Sequence, residues 1–240
     1  MILKKIKQKT ESDSSFPWIL LQKWEHILFL HYPISPETIK TYLPREVELD
    51  TYNEQAWISI VSFTVSRNQF RFFPRVPYTY PMQQINVRTY IKRKGEIGVY
   101  FFTMDTNKLS AALGGRIVNA PFLHADMVMR KFANTYHIYS ARKGELSAEF
   151  EARYFPAGAV FYPEKQSLDY WLLERYIFWS YKKGRLYRGD IKHDRWEIRN
   201  AEVNIEKQSL FLPENAIGEP QLVHYAGSKV ALNGVIKKVK

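Results

Sequence analysis

The sequence predicts a single α+β domain that is mostly β, in which short strands form a barrel or a folded-over sheet beside about two short helices. Short runs rich in β-branched and aromatic residues recur along the 240 residues, with turn residues between them. Hydrophobic residues make up 45% of the chain, and no linker or internal repeat interrupts their pattern. The predicted domain covers residues 16–236.

The first half of the chain contains the most regular strand pattern. A nearly continuous apolar run at its start predicts a buried strand, although periodicity alone does not distinguish this strand from a helix. Turn residues occur at 53–54 and 95–96, while 67–82 holds three prolines without a sustained period and is predicted to be a loop. The strands predicted on this basis are 16–32, 47–52, 56–66, 85–94 and 97–105.

Three segments carry helix-start signals. Ser35, which precedes a proline and an acid, is expected to cap a short helix. Asn107 is expected to cap a helix over 108–118, and Ser167 a helix over 167–175. These segments account for the small helical content of the predicted domain.

The second half of the chain is predicted to return to strand. Strands are expected near 125–140 and 145–155, and further strands over 176–240. Glycine-containing pairs predict turns between these last strands, at 183–184, 189–190 and 227–228.

The net charge of +11 is concentrated, in the sequence, near the two ends of the chain. Residues 1–10 and 229–240 each contain four lysines and no acid, so the body between them carries +3. Such ends are more often solvated than bound to a partner. We therefore expect a flexible basic tail over 1–15, a basic end at 237–240 and no nucleic-acid binding, because phosphate recognition needs clustered charge in the folded body.

The chain contains no cysteine, which excludes a disulfide framework and a thiolate nucleophile. The first 15 residues lack the apolar core of a signal peptide, and no run of 18 apolar residues occurs. The expected location is the cytoplasm, without a membrane partner, as a monomer or a weakly associating homo-oligomer.

Four segments together resemble the YqjF-like family of bacterial proteins. In chain order they are WEHILFLHYPISPETIKTYLPREVELDTYNEQAWISIVSF (24–63), NVRTYIKRKGEIGVYFFTMD (86–105), APFLHADM (120–127) and LLERYIFW (172–179). The resemblance spans about residues 18–236 and depends on the combination of segments rather than on any one of them. YqjF-like proteins are grouped by fold with acetoacetate decarboxylase, so the resemblance implies a cone-like, largely antiparallel β-barrel with an interior cavity.

Acetoacetate decarboxylase forms a Schiff base between a lysine and its ketone substrate, and its motif is Gly-Arg, a few residues and then Pro-Lys-Lys. The similar stretch here has Gly115-Arg116 and then Pro121, followed by Phe122 and Leu123 in place of the two lysines. The resemblance therefore implies the fold and its cavity without the Schiff-base chemistry.

Three polar residues alternate on one face of the predicted strand 85–94, namely Asn86, Arg88 and Tyr90. If this face points into a barrel, the Arg88 guanidinium offers a forked donor for a carboxylate or carbonyl oxygen. The alternatives are that Arg88 faces solvent or pairs with a structural acid. We take the three as candidate ligand-binding residues.

Three further candidates each have a structural alternative. Arg116 is either a second anion contact or a cation at the negative end of a helix dipole. His124, which lies near the position of the decarboxylase lysines, is a weak catalytic candidate and a candidate ligand contact, or else a hydrogen-bonded core residue. Glu174 is either a ligand contact or the salt-bridge partner of a buried arginine. His26 and His31 are expected to make structural hydrogen bonds.

The histidines show no metal-binding spacing and the glycines form no phosphate-binding loop, so we expect neither a metal nor a cofactor. The predicted function is to bind, or to bind and convert, a small organic acid or carbonyl compound in a barrel cavity. The alternatives are a non-catalytic small-ligand sensor and a structural or interaction protein. Whether the protein is an enzyme stays open at this point.

Overall fold

The computed structural model describes residues 16–73, 80–210 and 218–239, and most of its regular structure is strand. Within these ranges the helices are α1 (Pro36–Lys40), α2 (Leu109–Ile117) and α3 (Leu168–Leu173), and none of them is long and apolar enough to cross a membrane. The prediction of a mostly β protein with a small helical content is confirmed. The strands are β1 (Trp18–Ile34), β2 (Glu48–Leu49), β3 (Ala56–Phe70), β4 (Met82–Arg93), β5 (Glu96–Thr106), β6 (Phe122–His124), β7 (Asp126–Phe132), β8 (Thr135–Arg142), β9 (Ala148–Phe161), β10 (Ile177–Lys182), β11 (Arg185–Lys192), β12 (Ile198–Gln208), β13 (Leu222–Gly234) and β14 (Lys237–Lys238).

The described strands form one largely antiparallel sheet that curls back on itself. Its order is β14-β11-β10-β5-β4-β3-β1-β13-β12-β9-β8-β7, with β2 beside β4 and β6 beside β5. β11 also pairs with β13, where Ile191 lies opposite Asn233 and Lys192 opposite Leu232. This pairing closes a ring of seven strands, β13, β1, β3, β4, β5, β10 and β11, which agrees with the predicted barrel-like cone.

Strands β1, β3 and β4 separate two hydrophobic cores. All seven ring strands contribute to the first, which also contains α3 and includes Phe29, Tyr90 and Leu172; we call it the inner core. The second lies on the opposite face of β1, β3 and β4, where β8 and β9 pack, and includes Leu30 and Phe150; we call it the outer core. Because both faces of these strands are buried, their side chains read as nearly continuous apolar runs.

A bulge at His26 bends the central strand β1. The backbone of His26 has a positive φ of 55°, and the register with β3 shifts between Glu25 and Leu28. Three tyrosines hold the bulge: the hydroxyls of Tyr136 and Tyr225 each lie 3.1 Å from His26 Nδ1, and the Tyr154 hydroxyl donates to the His26 carbonyl at 3.1 Å. The expected structural role of this histidine agrees with these contacts, since a bulge re-aims the side chains on either side of it.

Two of the three predicted helix caps are present. The side chains of Ser35 and Ser167 accept hydrogen bonds from the first turns of α1 and α3. The prediction for Asn107 is wrong, because α2 begins after Lys108 without a side-chain cap. The Asn107 Oδ1 instead accepts from the Gln83 backbone N–H at 2.9 Å and so fastens β4 to the end of β5.

Two of the predicted turns lie inside strands. The turn at 183–184 does connect β10 to β11, but 189–190 lies within β11 and 227–228 within β13. Gly189 is required for close packing instead, since a Cβ built on it would lie 2.3 Å from the ring of Phe178. A glycine within a strand can mark such a close approach as well as a bend.

Other segment boundaries differ from the predicted ones by a few residues. The predicted loop 67–82 is shorter at its start, because β3 continues to Phe70, while residues 74–79 of it lie outside the described ranges. The strand expected near 125–140 is a hairpin, β7 and β8, and the helix expected over 167–175 ends at Leu173.

The lysine-rich C-terminal segment is part of the sheet, which corrects its interpretation as a tail. β13 continues through 229–234, and Lys229 is buried, with its Nζ donating to the Arg195 carbonyl at 2.6 Å. The charge of +3 calculated for the body of the protein therefore omits Lys229, which is part of the folded domain. The absence of nucleic-acid binding stays a prediction, and the N-terminal tail over 1–15 lies outside the described residues.

The packing at Gly189 generates a testable prediction. Gly189→Ala should lower the free energy of unfolding by about 1–3 kcal/mol, because Phe178 is itself buried and cannot move away from the added methyl group without strain. Gly114→Ala is the matched control: it lies in α2, where a Cβ meets no atom within 4 Å, and alanine favours a helix. Urea unfolding of both variants measures the difference, and equal effects at the two positions would contradict this packing.

Candidate functional site

A row of polar residues crosses three adjacent strands inside the ring. His31 of β1 lies directly opposite Ser59 of β3, and Ser59 lies opposite Arg88 of β4. Directly paired residues project from the same face of a sheet. This face is that of Phe29 and Tyr90, which belong to the inner core. The row therefore places an imidazole, a hydroxyl and a guanidinium in otherwise apolar surroundings.

A chain of short hydrogen bonds fixes part of this row. His31 Nδ1 lies 2.7 Å from the Ser59 hydroxyl, which lies 2.5 Å from the Tyr90 hydroxyl. All three side chains are buried, and the ring of His31 stacks on Phe29 with a centroid distance of 6.1 Å. The second imidazole nitrogen of His31, Nε2, is buried without a hydrogen-bond partner.

Arg175 lies just after α3 and packs against the same tyrosine. Its guanidinium carbon is 5.3 Å from the ring centre of Tyr90 and 4.4 Å from that of Trp171. Its Nη1 donates to Asp50 Oδ2 at 2.8 Å, and its Nε donates to the Trp171 carbonyl at 2.6 Å. Its remaining nitrogen, Nη2, is buried without a partner. The Nη2 group of Arg175 is therefore a hydrogen-bond donor without an acceptor, on a guanidinium whose position is fixed by its other contacts.

A second histidine lies beside the first. His224 of β13 is paired with Phe29, and its ring centre is 5.4 Å from that of His31. Asp169, in the first turn of α3, places its Oδ1 3.3 Å from His224 Nε2. The other ring nitrogen of His224, Nδ1, is buried without a partner. The carboxylate thus contacts one nitrogen and leaves the opposite one available.

The charges of this group are partly compensated. Burial, together with the nearby His224 and Arg88, lowers the pKa of His31 well below its usual value, so this imidazole is neutral at physiological pH. Burial also lowers the pKa of Arg175, and Asp50 opposes that change. Arg88 is half-buried, and among the described residues no carboxylate lies within ion-pair distance of it. Arg88 is therefore the cation of this group that lacks a counter-charge.

The three predicted residues of β4 lie on this inner face. Asn86 is buried and accepts from Gln84 Nε2 at 2.8 Å, and Tyr90 is buried in the hydrogen-bonded chain. The Arg88 guanidinium carbon lies 6.0 Å from the ring centre of Phe29, and its Nε is buried without a partner. Neither alternative for Arg88, full solvation or pairing with an acid, describes this position.

Arg116 and His124 lie elsewhere, in a surface cleft of about 410 Å³ between α2, β6 and the end of β8. Both side chains are exposed, and Arg116 Nε donates to the Phe122 carbonyl at 3.2 Å. Arg142 also lines this cleft, but its guanidinium is taken by Asp105 at 2.7 Å. The predicted site residues therefore divide between the interior of the ring and an external cleft.

Glu174 is a structural acceptor rather than the partner of an arginine. It follows α3, and its two carboxylate oxygens accept from the Trp196 backbone N–H at 2.9 Å and from the Tyr176 hydroxyl. The neighbouring Arg175 pairs with Asp50 instead. The expected salt bridge is thus displaced by one residue, because α3 ends at Leu173 and the chain turns.

Sequence reasoning did not identify His224, Asp169, Asp50 or Arg175 as members of one group. A weak signal existed for His224, since it alternates with Leu222 and Ala226 on the apolar face of its strand. No pattern in the sequence indicated the partner of each residue, because Asp50 and Arg175 are 125 positions apart.

The lowered pKa of His31 predicts how stability depends on pH. Below about pH 6.5 the unfolded chain binds a proton at His31 that the folded chain does not bind, so acidification should reduce the free energy of unfolding, by up to ~1.4 kcal/mol per pH unit. Urea unfolding between pH 7.5 and 5.5 measures this slope. His31→Gln should reduce the slope, and His124→Gln, at an exposed position, serves as the control. An unchanged slope in His31→Gln would contradict the assignment.

Comparison with known proteins identifies relatives of this chain. The family profile DUF2071, described as "Uncharacterized conserved protein", matches residues 21–229. The chain is also 36% identical over 241 residues to the "Uncharacterized protein YqjF" of Bacillus subtilis strain 168, and the match covers 98% of each chain.

Solved structures with the same fold are much more distant in sequence. The enduracididine biosynthesis enzyme MppR complexed with pyruvate has a TM-score of 0.64 and 10% identity, and the match covers 93% of this chain and 91% of that one. Acetoacetate decarboxylase from Legionella pneumophila has a TM-score of 0.63 and 14% identity, with 94% and 89% covered. These values show a shared acetoacetate-decarboxylase-like fold. Together with the profile match and the YqjF relative, they lead to one conclusion: the chain belongs to the YqjF-like (DUF2071) family.

Proposed function

We propose that this protein binds a small organic acid or carbonyl compound inside the ring of strands, with Arg88 holding the carboxylate. The observation that carries the proposal is a set of buried polar atoms that have no partner. These atoms are Arg88 Nε, Arg175 Nη2, His31 Nε2 and His224 Nδ1. Such atoms are rare in folded proteins, because each costs about 1–3 kcal/mol of desolvation. Such atoms also occur elsewhere among the described residues, for example at Tyr32 and Ser140, but four of them fall in this one group, where the polar atoms of a ligand would give each a partner.

The distribution of charge supports a ligand with one negative charge. Asp50 compensates Arg175, and Asp169 lies against His224. Arg88 is left as a cation in apolar surroundings, which is unfavourable unless an anion pairs with it. A carboxylate supplies both the charge and the two acceptors that a guanidinium fork binds.

The interior is favoured over the external cleft for a chemical reason. In the cleft, Arg142 already pairs with Asp105, and Arg116 is exposed, where solvent and salt weaken its attraction for an anion. The fold supports the same choice by analogy only: a structure of similar fold is described as a complex of MppR with pyruvate, a small 2-oxo acid.

We expect the buried lysine of the described residues, Lys229, not to form a Schiff base. Lys229 is the only lysine among the described residues that is buried. Its Nζ donates to the Arg195 carbonyl and lies 5.0 Å from the ring centre of Trp196. A carbonyl acceptor and an aromatic face both stabilise the ammonium form, whereas imine formation needs the free amine. The proposed ligand is therefore held by non-covalent contacts.

A panel of small acids tests the binding. Pyruvate, 2-oxobutyrate, acetoacetate, lactate and their amides are added to the protein, and thermal unfolding is recorded. An acid at ten times its Kd should add about 1.4 kcal/mol of stability, which raises the Tm by roughly 3–6 °C for a chain of this size. The amides, which lack the negative charge, should have little effect.

Two arginine variants locate the site. Arg88→Met should abolish the shift caused by the acid, and Arg116→Met, at an exposed position in the external cleft, should keep it. The reverse result would place the ligand in the cleft. No shift with any acid in the wild-type protein would refute the proposed function.

Borohydride trapping tests the absence of a Schiff base. Incubation with acetoacetate or pyruvate and sodium borohydride should leave the intact mass unchanged, because the ammonium form of a lysine does not form an imine. The measurement is mass spectrometry of the whole chain, with acetoacetate decarboxylase as positive control. A stoichiometric adduct on Lys229, or on any other single lysine, would show covalent chemistry instead.

A further inference from the structure

The contact between His224 and Asp169 resembles the arrangement by which enzymes orient a histidine base. Asp169 Oδ1 lies 3.3 Å from Nε2, so the ring proton is favoured on that nitrogen and the lone pair on Nδ1. Nδ1 is buried and has no partner within the protein. His224 is 2% exposed, so its lone pair is also shielded from bulk water.

The available nitrogen lies in the group that contains the proposed anion contact. The ring of His224 is 5.4 Å from that of His31, and the pKa of His31 is itself affected by Arg88. Arg175 Nη2 contributes a free N–H donor beside Tyr90, the neighbour of Ser59 in the hydrogen-bonded chain. An acid held by Arg88 therefore has a base and a further cationic donor within the same group of side chains.

We infer that His224, positioned by Asp169, removes and returns a proton at the carbon next to the carbonyl group of a 2-oxo acid held by Arg88. This inference goes beyond binding and rests on the proposed function. The proton transfer by His224 requires no metal ion, lysine or cofactor.

The chemical step is balanced within the site. The Nδ1 lone pair takes the proton from the carbon, and the C–H bonding electrons form the carbon–carbon double bond of an enolate. The carbonyl oxygen gains the negative charge, which the N–H of Arg175 stabilises, while Asp169 stabilises the imidazolium that forms. Return of a proton from His224 to the same carbon regenerates the acid. In D₂O the returning atom is a deuteron.

His224 is better suited to this step than His31. Burial lowers the pKa of His31 well below its usual value, and its Nδ1 is occupied by Ser59. In His224 the carboxylate of Asp169 contacts Nε2, and Nδ1 is left without a partner within the protein. The assignment therefore depends on the Asp169 contact.

Deuterium exchange into a bound 2-oxo acid tests the inference. The probe is pyruvate or 2-oxobutyrate, whichever raises the Tm more, incubated with the full-length protein in D₂O. Loss of the proton signal at the carbon next to the carbonyl is followed by NMR. Wild-type protein should exchange this position faster than buffer alone, and His224→Gln should reduce the rate at least ~100-fold while the probe still binds. His137→Gln is the matched control and should keep the full rate, because it changes a histidine of β8, outside the ring, that pairs with Glu151.

Asp169 is tested as a positioning residue by a different readout. Asp169→Asn should lower the maximal exchange rate without changing the probe concentration at half-maximal rate, and Asp169→Glu should restore part of the rate. If His224→Gln does not fold, exchange by the His224→Ala variant with added imidazole replaces it, and imidazole should restore the rate.

The outcomes separate the two proposals. Binding that depends on Arg88 without exchange in the wild-type protein would refute the role of His224 and leave the binding site intact. Exchange that persists in His224→Gln would also refute it. A protein that binds neither 2-oxo acid would refute this inference, and the proposed function falls with it only if no other acid of the panel binds.

Discussion

The burial of strand β1 on both faces is the constraint on which the rest of the structure depends. β1 pairs with β3 on one side and β13 on the other, so its backbone hydrogen bonds are satisfied within the sheet. Alternate side chains must therefore serve two cores, and the bulge at His26 adjusts this alternation. After the bulge, Ile27, Phe29 and His31 face the inner core, and Leu28 and Leu30 face the outer one.

The polar row inside the ring follows from this arrangement. A buried imidazole nitrogen without a hydrogen bond lowers the stability of the fold, because surroundings of low dielectric constant penalise unpaired polar atoms. Such a nitrogen therefore needs a partner in the protein or in a ligand. Ser59 and Tyr90 satisfy one side of His31, and the outer core cannot supply the other side because it lies across the sheet. These strands thus fix the side chains of the row, and α3 and the residue that follows its cap add Asp169 and Arg175.

Some of this organisation could be predicted from the sequence and some could not. The face of β4 was predictable because strands have a period of two, which the neighbouring bulge on β5 leaves unchanged in β4. Gly189 was misread as a turn because a residue without a side chain signals both turns and close packing, and Gly227 because a glycine also occurs at an open position within a strand. The partners of Arg175 and His224 were not predictable, since contacts between residues far apart in sequence are set by the closure of the sheet rather than by local pattern. Arg116 and His124 were grouped with Arg88 by similarity to a motif, but α2 and β6 present both side chains in an exposed surface cleft.

The number of paired residues differs greatly between neighbouring strands of the ring. β1 pairs with β3 and β13 over many residues, but β10 pairs with β5 at two positions only, and β11 with β13 at two positions. Local opening of a folded protein begins where the fewest backbone hydrogen bonds must break. The two short pairings, β10 with β5 and β11 with β13, lie on either side of the hairpin formed by β10 and β11, which follows Arg175 in the chain. Exchange of solvent and solutes with the interior is therefore expected through the wall formed by β10 and β11, while the wall formed by β1, β3 and β4 keeps its shape. The sheet is thus extensively paired on one side of the ring and sparsely paired on the other.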